Sequence, residues 1–257
     1  MSNIATSAVP SDDLWMPRRA KSDYVPPKNS DSAMLSEVLN GTDRFPDNKQ
    51  LKLVGNPKDP GDTRVYYAGD LSLLKLPCVA VVGTRNVSDA GILRTQRLAR
   101  ELVDAGIVVV SGLAYGVDTI AHKTALERDG KTIAVIGTPL NKASPSENAK
   151  IQEKIYREHL LISRFSEREK THRSNFPLRN RLMATLSDAT VVMEASDTSG
   201  TLHQAAECTR LGRWLFIAKS VVDDPSVNWP QDFLKYDTCV VLEKVSQITE
   251  RVIKSSR

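Results

Sequence analysis

The stretch FPLRNR, residues 176–181, sets two arginines around an asparagine, just after a proline and just before the apolar run LMATL. A guanidinium is a fixed planar cation whose paired donors suit phosphate or carboxylate oxygens. Arg179 and Arg181 are two residues apart, so on a helix they do not share a face. With Asn180 they fan around a helix start expected near Arg179. No acidic residue follows until Asp188. The fan reads as a contact for an anion, against the alternative of a solvated turn with ordinary ion pairs.

Three other stretches carry groups able to bind or react. GTRNVSDAG (83–91) holds Gly83 and Arg85. It lacks GxGxxG, and no acidic residue ends the next strand to hold a ribose, so a dinucleotide site is disfavoured. A tight turn with a capped helix and an anion site centred on Arg85 both remain open. SGLAYGVDTIAH (111–122) holds Ser111, Gly112 and Gly116, then Asp118, expected to cap a helix, and His122 one turn later. That spacing would let Asp118 and His122 hydrogen-bond. EASDTSGT (194–201) places Asp197 at a strand end and offers Ser199, Gly200 and Thr201 as a phosphate or oxyanion nest. Neither a GxSxG elbow nor a full P-loop GxxxxGK[ST] occurs: the GKT at 130–132 has Ala125 where the first glycine would stand. Tyr66, Tyr67 and Tyr115 are candidates for stacking on bases.

These stretches need a frame. CVAVVG, IVVVSG, KTIAVIG, LLIS, ATVVMEA and RWLFIA are short apolar runs, separated by amphipathic segments of helical length. Strand, helix and strand at this spacing mean βαβ units around a parallel sheet covered on both faces. The fold class is therefore α/β, an extended Rossmann-like three-layer arrangement with a mostly parallel sheet. In such a sheet ligands bind beyond the carboxyl ends of the strands, where all the stretches above are expected to face. TCVVLE and a helix over 246–254 close the chain. Residues 1–60 are read as an arm, partly extended or disordered, with one short helix in SAMLSEVLNG ended by Gly41. Residues 61–257 form the main domain.

Bulk properties narrow the class. The chain has 257 residues, 40% of them hydrophobic, and a net charge of +4, which permits a polyanionic partner without requiring one. Its three cysteines have no CxxC spacing, and its four histidines show no metal-ligand spacing. No metal or cofactor is expected. Sparse cysteine fits a reducing cytosol. With neither a secretory leader nor a run long enough to span a bilayer, a cytoplasmic setting is expected.

Six motifs in order, VYYAGDLSLL, VAVVGTRNVSDAG, VVSGLAYGVDTIAH, GKTIAVIGTPL, FPLRNRLMATLSDATVVMEA and SGTLHQAAE, resemble the bacterial DNA-processing protein A (DprA or Smf) family. FPLRNR is the most specific of them. The resemblance spans roughly residues 65–218. It implies a Rossmann-fold homodimer that binds single-stranded DNA without cutting it. It also implies roles in DNA-mediated transformation and recombination, with loading of a RecA-type recombinase. By position, the family's DNA-contacting arginines fall on Arg85 and Arg179, with Arg181 beside them. The turns at Gly83, Gly112 and Gly200 would line the same pocket, and Lys131 is a further candidate phosphate contact. The chain departs from the family at GTPLN and KASPSEN. The alternative is a nucleotide-binding sensor or nucleotide-processing enzyme related to phosphoribohydrolases. There Gln204 would stand where those enzymes place a glutamate, and an amide cannot act as general base.

Overall fold

The computed structural model describes residues 23–42, 44 and 63–253. The rest of the arm expected over 1–60 lies outside them. In chain order the elements are β1 (Asp31–Met34), α1 (Leu35–Val38), β2 (Arg64–Gly69), a 3-10 turn (Leu71–Lys75), β3 (Cys78–Val82), α2 (Asp89–Asp104), β4 (Val108–Ser111), α3 (Val117–Glu127) and β5 (Thr132–Ile136). There follow α4 (Ala149–Glu158), β6 (Leu160–Ser163), α5 (Asn175–Leu186), β7 (Ala189–Val192), α6 (Thr201–Arg210), β8 (Trp214–Ala218), α7 (Lys219–Val222), α8 (Pro230–Phe233), β9 (Cys239–Leu242) and α9 (Ser246–Val252).

The apolar runs become strands because only a sheet covered on both faces can hide them. Every residue of β3, β4, β5, β6 and β7 is buried. The sheet runs β1-β2-β6-β5-β4-β3-β7-β8-β9. From β6 through β9 all pairings are parallel, while β2 runs antiparallel to both β6 and β1. Strands β3 to β6 step outward in one direction, and the chain then crosses back to lay β7 on the other side of β3. Right-handed crossovers put α2, α3 and α4 on one face and α5 and α6 on the other. The contacts agree, since α2 packs on α3 and α5 packs on α6. This is the expected three-layer α/β architecture. The strand order reverses between β3 and β7, so the crevice for a ligand opens there.

Two local expectations change. SAMLSEVLNG is not one helix: its first residues pair with β2, Ala33 opposite Val65, and only Leu35–Val38 is helical. An edge strand gains ladder hydrogen bonds that an isolated helical turn of this length cannot match. FPLRNR does not begin a helix either, because α5 already starts at Asn175. Pro177 sits inside the first turn, where its missing amide has no intrahelical acceptor to lose.

At the amino ends of the strands a buried arginine closes the structure. Arg44 is 2% exposed. It donates to the carbonyls of Leu186 (3.0 Å), Leu76 (3.2 Å) and Leu74, and pairs with Asp188 at 3.2 Å. Asp188 also accepts the amide of Cys78 at 2.7 Å. One guanidinium thus joins the approaches to β3 and β7. His122 is likewise fully buried, but its partner is not Asp118. Its Nδ1 lies 2.8 Å from Thr132 Oγ1, which donates to the Val109 carbonyl. Burial pushes its pKa down to about 3.

Two outcomes follow. Arg44→Ala removes the buried guanidinium shared by Asp188 and three carbonyls, and should cost about 3 to 5 kcal/mol in urea unfolding. Between pH about 6.5 and about 3 the unfolded chain binds a proton that folded His122 refuses. Stability is therefore full above pH about 6.5 and declines as pH falls through that window. His122→Gln should flatten the decline, measured as a smaller stability difference between pH about 7 and about 5.

Candidate functional site

Gly83 follows β3, and Ser199, Gly200 and Thr201 lead into α6. Between them opens a cleft of about 310 Å³, also lined by Arg85, Asp118, Arg179 and Asn180. Sheet topology alone brings these distant segments together. Helices α3, α5 and α6 all begin at this rim, and none has a side-chain hydrogen bond at its N-cap. Their positive dipole ends converge on the cleft, which favours an anion.

Arg179 is the internal strut of the site. It stands in the second turn of α5 and is 6% exposed. Its Nη1 donates to the Val135 carbonyl of β5 at 3.1 Å and lies 3.9 Å from Asp118 Oδ2. Asp118 in turn accepts the amides of Gly112 (3.2 Å) and Ala114 (3.3 Å). The carboxylate expected to cap α3 or face His122 is turned to the preceding loop instead. Burial raises the Asp118 pKa, opposed by Arg179 and the loop amides. Burial likewise lowers that of Arg179, opposed by Asp118, while the nearby positive charge of Arg85 adds to the lowering. Gly112 leaves room for this arrangement: a Cβ at this position would collide with the Arg179 guanidinium and push it aside. At Gly200, by contrast, a Cβ would meet open space.

Arg85 is exposed, and no hydrogen bond or ion pair of its side chain occurs among the described residues. Its loop is held by Glu194, at the end of β7, which was not singled out in the sequence. Glu194 accepts from the amide (3.1 Å) and hydroxyl (2.8 Å) of Ser88, and its carbonyl accepts the Thr84 amide at 2.6 Å. Ser88 caps α2 through the Gly91 amide. The free cation is thus carried on a loop clamped at both ends.

The cleft continues along the carboxyl ends of β4 and β5 as a groove of about 480 Å³. Arg85 and Arg179 border both parts, and Tyr115 and Arg173 line the extension. Arg173 went unremarked in the sequence, although it ends the basic loop RFSEREKTHR (164–173). Other expected residues fall elsewhere. Arg181 points away and is paired with Glu207 at 3.0 Å, which also binds Arg210 at 2.6 Å. Ser111 is buried beneath the site and donates to the Val81 carbonyl. Lys131 precedes β5 at the opposite end of the strands, within electrostatic reach of Asp70. Tyr66 and Tyr67 pack on β2 against the core, so only Tyr115 of the three tyrosines lines the groove.

Residues 38–253 match the family model described as DNA recombination-mediator protein A. The DNA processing protein DprA of Streptococcus pneumoniae is 41% identical over 160 residues, covering 62% of this chain and 56% of that protein. Its X-ray structure superposes with a TM-score of 0.73 at 30% identity, covering 88% of this chain and 75% of the other. A structure of DNA processing protein A from Helicobacter pylori, described for its single-stranded DNA binding mode, matches with a TM-score of 0.69 at 27% identity, covering 87% and 96%. The chain spans about half the length of the curated relatives it matches. The crevice at the β3–β7 reversal, FPLRNR across it and a family match that runs nearly the whole described length agree: this chain belongs to the DNA recombination-mediator protein A family.

Proposed function

We propose that the chain binds single-stranded DNA along the carboxyl edge of its sheet and does not cut it. One observation carries this reading: Arg85, Arg173 and Arg179 converge on a continuous groove whose lining contains a single carboxylate, Asp118, already committed to Arg179 and two amides. A basic groove with an aromatic ring holds a flexible strand by its phosphates and base faces, with little sequence preference. The Helicobacter pylori neighbour, whose description names single-stranded DNA, supports the ligand. In this reading Arg85 and Asn180 contact phosphate directly, with the Ser199–Thr201 turn opposite. Arg179 chiefly shapes the floor, and Arg181 and Lys131 take no part. A cytoplasmic homodimer that delivers DNA to a RecA-type recombinase during uptake or recombination belongs to the same proposal. Among the described residues no helix is long and apolar enough to cross a membrane.

Nucleotide hydrolysis fits the site poorly. Gln204 lines the cleft as an amide bonded to Thr190, and Glu207 is held by two arginines outside it. Neither is a free base.

Arg179 is a poor probe, because Arg179→Ala also strands buried Asp118. Arg85→Ala is cleaner. It should weaken binding of an oligothymidylate and make the slope of log affinity against log salt shallower by about 0.7. Arg181→Ala should leave that slope unchanged. Titrations by fluorescence anisotropy with single strand, duplex and mononucleotide test the reading. Tight mononucleotide binding without single-strand binding refutes it. Gly112→Ala should lose most binding by displacing Arg179, whereas Gly200→Ala, whose added methyl opens onto the cleft, should leave folding stability in urea unchanged.

A further inference from the structure

The groove does not stop at Arg173. Beyond Ser144, which lines both parts, it opens into a third cavity of about 360 Å³, walled by Thr138, Asn141, Lys142, Thr171 and, from the N-terminal segment, Tyr24. Its lining holds one cation and no carboxylate. Asn141 Oδ1 has no hydrogen-bond partner among the described residues.

The cavity is built, not incidental. The Tyr24 hydroxyl donates to the Leu140 carbonyl at 2.7 Å and accepts from Gln152 Nε2 at 2.8 Å. The same amide of Gln152, a fully buried residue, donates to the Lys142 carbonyl at 3.1 Å. One buried side chain therefore sets both the tyrosine and the lysine loop. Next to it, the Val25 amide donates to Glu153 at 3.0 Å and Tyr156 donates to the Val25 carbonyl at 2.9 Å. The segment is seated on α4 with Tyr24 on the cavity wall.

We propose that this cavity is a nucleobase subsite, in which one base of the bound strand packs on Tyr24 beside Asn141 while Lys142 faces the adjoining phosphate. It rests on the single-strand reading above, and it lengthens the track past the arginines. An aromatic face accepts any base, and Lys142 supplies charge where the arginines end. The N-terminal segment thereby becomes part of the binding surface.

The test compares oligothymidylates of about 6 and about 18 nucleotides on the full chain. Tyr24→Ala should weaken the long strand about tenfold and leave the short one unchanged. Arg85→Ala should weaken both. Tyr24→Phe keeps the ring but loses the two hydrogen bonds that seat it, and should weaken the long strand less than Tyr24→Ala does. Photocrosslinking with 5-iododeoxyuridine in the long strand should label Tyr24. If Tyr24→Ala affects both lengths equally or neither, or no crosslink reaches residues 23–29, the subsite is overturned while the arginine groove stands. If the parent protein binds neither length, both proposals fall.

Discussion

The carboxyl end of this sheet is organised around one buried guanidinium. Arg179 leaves α5, reaches across to the Val135 carbonyl of β5 and sets its charge beside Asp118 of α3. Asp118 then fixes the loop after β4 through two amides. Three elements that meet only in the folded state are thus locked in one geometry. Such a pair is weak evidence of stability, because desolvation opposes the Coulomb attraction. Its effect is positional: a buried charge has few places to be, so the loop around it has one shape. Gly112 is the mark of that constraint, since no side chain fits where the guanidinium lies.

Arg44 does the corresponding work at the other end of the strands, and the contrast is informative. It is enclosed by three carbonyls and Asp188, so that end of the β3–β7 seam is sealed. At the carboxyl end Arg179 faces an open cleft, joined by Arg85, which is unpaired among the described residues, and by helix starts whose N-cap residues make no side-chain hydrogen bond. Net charge says little about this. The chain carries only +4, yet the fold satisfies Arg44, Arg181 and Arg210 with carboxylates and leaves others uncovered along one edge. Affinity for a polyanion depends on that sorting more than on the total.

Much of the fold is legible in the sequence. Apolar runs such as CVAVV and TIAVI cannot be satisfied on a half-exposed surface, so their burial and their parallel pairing followed from composition. The short elements were harder. Asp31–Met34 became a strand because β2 offered an unpaired edge, a partner more than thirty positions away that no local pattern announces. Helix α5 began earlier than FPLRNR suggested, because a proline in the first turn does not stop a helix.

The site divides along the same line. Residue type and the placement of loops after strands determined by themselves that Gly83, Arg85, Arg179, Asn180 and the Ser199–Thr201 turn belong to one face, because every parallel strand ends on the same side. Tertiary structure alone decided which charges stay available. Arg179 and Arg181, neighbours in one motif without an acid beside them, each found a carboxylate from another element, Asp118 and Glu207. Lys131 went to the opposite end of its strand, Arg173 came to the groove from a basic loop, and Glu194 and Tyr24 reached this edge without a local signature. Ion pairing acts over a few ångströms in space and is blind to distance along the chain. A motif can therefore name its cations, but only the packed fold can say which of them remain to meet a ligand.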